Sequence, residues 1–212
     1  MKIGVIGAGN IAGAVGLLWA RAGHHICFGT RHPETLASLV QSAGSNASAG
    51  TMLEAAEFGE IVFCSPPYGA WPEIAAALVS ALSGKIVIDS ANPYPERDGD
   101  FAREALAAGD GAGVPIARLL PGTRFVRAFN SVYFRTLETE AHRAGEQVGI
   151  PLASDDADAM QVVADLVHDA GFAPVIVGPL VRARDFDPGA QVYNTGMSGP
   201  DLARALGVEG SQ

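Results

Sequence analysis

The sequence predicts an α/β fold: a doubly wound, mainly parallel sheet completed by a small C-terminal α/β portion. Two observations carry this. Short β-branched runs alternate with helical patterns along most of the chain, which implies parallel strands with helices on both faces. A glycine-rich turn follows the first of those runs at once and opens the first helix. Composition agrees, since 48% of the 212 residues are hydrophobic and 17% charged, which suits a sizeable core and not a disordered chain.

Ile3–Ile6 reads as a short strand ending at Gly7. Asn10–Ala22 has helical character, with Ile11, Val15, Leu18 and Trp19 on one face and Gly23 as a stop. His25–Phe28 is the second strand, and Pro33 suits the first turn of a helix over Glu34–Ala43. A short strand at Ala47–Ala49, a helix at Thr51–Phe58 and a buried strand at Ile61–Cys64 follow. Trp71–Leu82 is helical, Lys85–Asp89 extended and Asp100–Ala108 helical again. Less regularly, Arg124–Phe129 and Ile150–Ser154 read as strands, Asp156–Ala170 as a helix and Pro174–Val177 as a last strand. The Gly/Asp/Pro-rich stretches Asn92–Gly99 and Gly109–Gly113 are loops, too short to link domains.

Gly7-Ala8-Gly9-Asn10-Ile11-Ala12 fits G-x-G-x-x-G/A in the context that gives the pattern meaning, between a strand and a helix of one βαβ unit. This makes the fold Rossmann-type. Gly7 makes the tight turn, Gly9 admits a pyrophosphate to the backbone, and Ala12 packs helix on strand; Ala8, Asn10 and Ile11 complete the phosphate loop. The helix N-terminus offers free N–H groups to the phosphates. Thr30 stands 18 residues beyond Ala12, near where an acid reads the ribose of NAD. This chain has Thr30, Arg31 and His32 instead, with the first acid, Glu34, already in the next helix. A hydroxyl, a guanidinium fork and an imidazole suit a 2′-phosphate, so the expected cofactor is NADP. Residues 1–125 are expected to form the NADP-binding domain, and 126–212 a smaller C-terminal α/β portion.

Further candidates lie at strand ends, where doubly wound sheets bind ligands. Ser65-Pro66-Pro67 is a stiff loop suited to press on the ribose or nicotinamide, with a structural turn as the alternative. Asn92 offers an amide to the nicotinamide or its ribose, while Asp89 reads equally as a structural cap. Asn130 is the one candidate for orienting a substrate or carboxamide, against an N-cap for the helix after it. Tyr133 and Phe134 read as apolar floor or ordinary core. Cys27 and Cys64 fall inside apolar runs and read as buried small hydrophobes. No Cys/His cluster or H-E-x-x-H occurs, so no metal site is expected.

A formal net charge of −9 argues against non-specific binding to nucleic acid or anionic membranes. No apolar run approaches the ~18 residues of a span. Met-Lys leads straight into strand residues without a signal peptide, so a cytoplasmic protein is expected.

The motifs resemble the coenzyme F420-dependent NADP oxidoreductase family, which is similar in turn to the reductase domain of membrane metalloreductases. Gly7-Ala-Gly-Asn-Ile11, Gly29-Thr-Arg31, Pro66-Pro67, Asn92-Pro93, Ala128-Phe-Asn130 and Gly178-Pro-Leu180 carry the resemblance. It implies that Thr30 and Arg31 grip the 2′-phosphate, that a C-terminal αβ portion covers the nicotinamide, and that the protein is a homodimer. Members that reduce the deazaflavin place His near the position of Asn130, and some carry a basic residue just beyond the Arg; neither is present here. The resulting expectation is hydride transfer between NADPH and a flavin-like or deazaflavin small molecule. A carbonyl or imine reductase is the second reading, although Lys2 and Lys85 are the only lysines and both lie at strand entries. A non-catalytic NADP-binding regulator is the third.

Overall fold

The computed structural model describes residues 1–208; the last four residues of the expected C-terminal portion lie outside the described ones. One sheet holds eight strands: β1 (Lys2–Ile6), β2 (His25–Gly29), β3 (Ala47–Gly50), β4 (Ile61–Cys64), β5 (Ile86–Asp89), β6 (Arg124–Arg127), β7 (Gly149–Ala153) and β8 (Ala173–Gly178). Their order is β3-β2-β1-β4-β5-β6-β7-β8. Every adjacent pair is parallel except β6 and β7, which meet antiparallel at Arg127 and Ala153. From β1 the chain winds outward to β3, then returns to start again at β4. The order therefore reverses between β1 and β4, which is where such sheets open a crevice. Residue 125, the expected boundary, lies within β6, and the sheet continues across it.

Side chains alternate along the strands and feed two cores. Ile3, Val5, Ile61 and Phe63 go to one face, where α1 (Asn10–Arg21) covers them; Ile6, Val62 and Cys64 go to the other. Beside α1 lies α2 (Ala37–Ala43), while α3 (Met52–Phe58) and α4 (Trp71–Leu82) cover the opposite face. Trp19 of α1 is fully buried, edge-on to Phe63 and Phe129 at ring separations of 5.4 and 5.7 Å. Cys27 and Cys64 are free and buried, and burial raises both thiols above their ordinary range.

The remaining helices are α5 (Pro95–Ala108), α6 (Gly113–Leu119), α7 (Phe134–Thr139), α8 (Ala157–Asp169) and α9 (Gly199–Ala205). Several depart from the sequence expectation for local reasons. The first turn of α5 forms five residues early, at Pro95, and Gly99 at φ 68° kinks it where Asn92–Gly99 reads as loop. Two short helices, α6 and α9, fall where no helix is expected, each of seven residues and too short to show a period. Pro33–Leu36 winds as a 3₁₀ turn before α2 begins. Thr51 caps α3 instead of joining it: its Oγ1 accepts from the Glu54 N–H, and the Glu54 carboxylate accepts from the Thr51 N–H. The strand expected to reach Phe129 stops at Arg127, because Phe129 turns to φ 61° while its ring stays in the core.

Asp156 caps α8 by accepting from the Ala159 N–H, and it also takes both arms of the Arg124 guanidinium at 2.7 and 2.9 Å. That ion pair, with the cap behind it, holds the carboxyl down at about 2. The shift has a defined sign. The group's stabilising contribution is complete above its unfolded value near 4 and is lost as pH falls through about 2. Asp156→Asn is accordingly expected to lower the melting temperature at neutral pH and to flatten the wild-type loss between pH 4 and 2. Thermal melts across that range check this.

Candidate functional site

The crevice forms at the reversal of strand order. Gly7 ends β1 at φ 112°, and a Cβ there would stand 2.9 Å from the Ser65 carbonyl oxygen. Only glycine fits a backbone so placed. Gly9, the N-cap of α1, is the converse: its backbone is ordinary, at φ −78°, and a Cβ would meet nothing within 4 Å. No side chain caps α1 and no acid sits in its first turn. The first N–H groups of α1 therefore face open space with the positive end of the helix behind them, a cradle for a diphosphate.

Residues from all the expected strand ends meet in one cavity of about 730 Å³: Gly7–Ile11, Thr30 and Arg31, Ser65–Pro67, Asn92 and Asn130. At one end, Arg31 is exposed, and among the described residues its guanidinium makes no hydrogen bond or ion pair. Thr30 beside it is half-buried, its hydroxyl accepting a long 3.5 Å bond from the His32 N–H. His32 itself does not join the wall. Its ring turns to Glu34 at 3.2 Å, in solvent, because the 3₁₀ turn starting at Pro33 carries the chain away.

At the other end stands a buried polar network that the sequence reading missed. Arg127 is wholly buried; it pairs with Asp89 and with Asp187, the latter at 2.7 Å, and donates to the Asn92 side-chain oxygen at 3.0 Å. Asp89 also accepts from the Trp71 indole and the Ala91 N–H, so it anchors the network and is more than a local cap. Burial pushes its carboxyl up, to about 6, while Arg127 pulls the other way. The strand register that sets Arg127 directly beside Asp89 belongs to the folded sheet, and no sequence signal announces it.

The two asparagines differ in what they leave free. Asn92 spends its amide on the Asn130 carbonyl (2.7 Å) and the Tyr193 hydroxyl (3.2 Å), and its oxygen on Arg127. It is a strut. Asn130 donates to Asp187 at 3.0 Å, but its own side-chain oxygen is buried without a partner. The helix after it starts at Phe134, with Tyr133 as N-cap, so Asn130 is not a cap. Asn130 lines the cavity, and its unpartnered oxygen, closed to solvent, is an acceptor that suits a ligand N–H such as a carboxamide. Tyr133 is exposed at the same wall, against Phe134. Tyr94, Arg97, Tyr193 and Asn194, unremarked in the sequence, complete this end.

Gly9→Val is expected to leave the fold intact, since its side chain enters open space, and to weaken NADP(H) binding about 10–100-fold, the equivalent of one or two charged hydrogen bonds. Melting temperature and a binding titration on the same sample check both halves.

Fold and crevice together define a dinucleotide-binding protein of the Rossmann class. Comparison with known proteins sharpens this. Residues 2–93 match the family described as NADP oxidoreductase, coenzyme F420-dependent. The chain is 28% identical over 196 residues to the F420-dependent NADP reductase of Methanothermobacter marburgensis, with 87% of each chain covered. It is also 26% identical over 186 residues to Metalloreductase STEAP3 of Rattus norvegicus, covering 88% of this chain and 36% of that one; it thus spans about a third of that metalloreductase's length. Among solved structures, a putative F420-dependent NADP-reductase from Arthrobacter sp. FB24 superposes with a TM-score of 0.73 at 23% identity, covering 87% of each chain, a likeness of fold. The chain is thus similar to F420-dependent NADP oxidoreductases, the family match lying in its first 93 residues. Among the described residues no helix is long and apolar enough to cross a membrane, and no group of three or more His, Cys, Asp or Glu gathers for a metal.

Proposed function

We propose that this protein transfers hydride between NADPH and a flat, flavin-like or deazaflavin acceptor. The single observation that carries the reading is the continuity of the crevice. It runs from the α1 cradle and Arg31, past Asn130, to a wall of Tyr94, Tyr133, Phe134 and Tyr193. The cradle and Arg31 suit the diphosphate and the 2′-phosphate, Asn130 suits the carboxamide, and the aromatic end suits a planar ring. Open backbone at Gly9, an unpaired Arg31 and an unpartnered Asn130 oxygen are what a dinucleotide would satisfy, so the residues fit NADP.

Bound NADPH supplies the hydride. The chain's own part is to hold two rings in apposition, keep water from between them and orient the carboxamide through Asn130. Such a reaction asks for no lysine, and neither lysine is near: Lys85 donates to the Ala56 and Glu57 carbonyls at the end of α3, and Lys2 lies at the start of β1. The resemblance supports taking the protein as a cytoplasmic homodimer, and sedimentation velocity tests the oligomeric state.

The expected result is loss of reduced-nicotinamide absorbance when NADPH meets FMN or a deazaflavin, with NADH far slower. Oxidation only with carbonyls or imines would replace the reading with the second one. Tight NADPH binding without turnover of any of these acceptors would leave a regulator.

A further inference from the structure

Two phenols meet at the acceptor end of the crevice. The hydroxyls of Tyr94 and Tyr193 lie 2.8 Å apart, although the residues are 99 positions apart in sequence. The network behind them fixes the orientation of Asn92. Arg127 can only donate, so the Asn92 atom facing it is the oxygen, and the Asn92 amide must then donate to the Tyr193 hydroxyl. The bond between the phenols can run either way; when Tyr94 donates, the Tyr193 oxygen has both lone pairs occupied and its own hydrogen is free for the cavity that Tyr193 lines. Arg97 packs over the Tyr94 ring at 5.0 Å and donates to the Asn92 carbonyl, holding the pair in place. Both line the crevice, Tyr94 at 42% exposure the closer to solvent and Tyr193 half-buried.

We propose that Tyr193 is the proton donor of the reaction, supplying the acceptor nitrogen that gains the electron pair, with Tyr94 as its relay to water. This rests on the reading of the site as an NADPH reductase for a ring with a conjugated C=N bond. Hydride from the nicotinamide forms a new bond at the central ring of the acceptor, C–H in a deazaflavin and N–H in a flavin, and the π pair moves through the conjugated C=N system to a second ring nitrogen. That nitrogen forms its N–H bond with the Tyr193 proton. The phenolate takes a proton from Tyr94, which takes one from water. The acceptor gains two electrons and the nicotinamide loses them. Burial pushes the Tyr193 phenol up, so its proton is present throughout the neutral range. The competing source is Glu73 of α4, the one carboxylate on the crevice wall among the described residues.

Tyr193→Phe keeps the ring and leaves Asn92 its bond to the Asn130 carbonyl. With FMN or a deazaflavin as acceptor, kcat is expected to fall about 10²-fold or more, with NADPH affinity unchanged and the solvent deuterium isotope effect on kcat reduced. Flavin fluorescence titrated into the NADP-loaded variant should show binding weakened several-fold, a readout independent of turnover. Tyr94→Phe should lose less. Wild-type kcat and flavin affinity in Tyr193→Phe would overturn the assignment, as would loss of turnover in Glu73→Gln with Tyr193→Phe unaffected. A parallel loss of NADPH affinity in Tyr193→Phe would also overturn it, marking a displaced loop. If the wild-type protein turns over neither acceptor, the functional reading fails and this assignment with it; a failure confined to the variant spares that reading.

Discussion

Arg127→Leu is expected to destabilise the protein by about 3–5 kcal/mol, the cost of removing one partner from a wholly buried ion-paired network. The guanidinium faces two carboxylates, and its loss leaves Asp89 buried with only the Trp71 indole and the Ala91 N–H. Asp187 retains donors from Ala112 and Asn130, so Asp89 bears most of the damage. The pH dependence separates this account from simple misfit. Burial already holds the Asp89 carboxyl up at about 6, and without Arg127 it rises further. A carboxyl raised in the folded state takes a proton more readily there than in the unfolded chain, so the variant's stability falls as pH rises through that value. Urea unfolding at pH 5 and pH 8 should therefore show the larger deficit at pH 8, and adding Asp89→Asn should recover part of it. A deficit independent of pH would mean that packing dominates.

Arg31→Ala is expected to weaken NADPH binding about 10–100-fold, as for a lost charge-assisted hydrogen bond or two, and NADH binding less than about twofold. The side chain is exposed and tied to nothing else in the described protein, so the fold should not register the change. NADPH affinity in the wild type should also fall with added salt, because the contact is solvent-accessible, and Arg31→Ala should lose much of that dependence. Equal losses for the two coenzymes would remove Arg31 from the phosphate site.

How far the sequence carried the reading follows from separation along the chain. Gly7–Ile11 was legible because its turn, its helix start and its open backbone are all local. Strands such as Ile61–Cys64 and the helix Trp71–Leu82 are long or apolar enough to announce themselves, and their ends match the structure. Arg127 was not legible as a site residue: its partners lie 38 and 60 positions away, and an Arg at a strand end reads as solvated. Tyr193 was hidden more deeply, in a stretch of turns where only the fold brings it to Tyr94. The α6 helix was obscured by Gly113 and Pro115, which sit in its first turn, where proline is tolerated but still reads as loop. His32 shows the opposite error: adjacency to Arg31 suggested a shared task, and a 3₁₀ turn separated them.

The Trp19 indole donates at 2.8 Å to the Leu166 carbonyl in α8, tying the first crossover of the chain to its last long helix through a fully buried ring. The dinucleotide-holding half is therefore not a cassette. Exchanging either half with that of a relative would require the incoming piece to present an acceptor of matching height at that spot, or strand a nitrogen in the dry interior. An exchange that failed to do so should cost stability at a point far from the crevice.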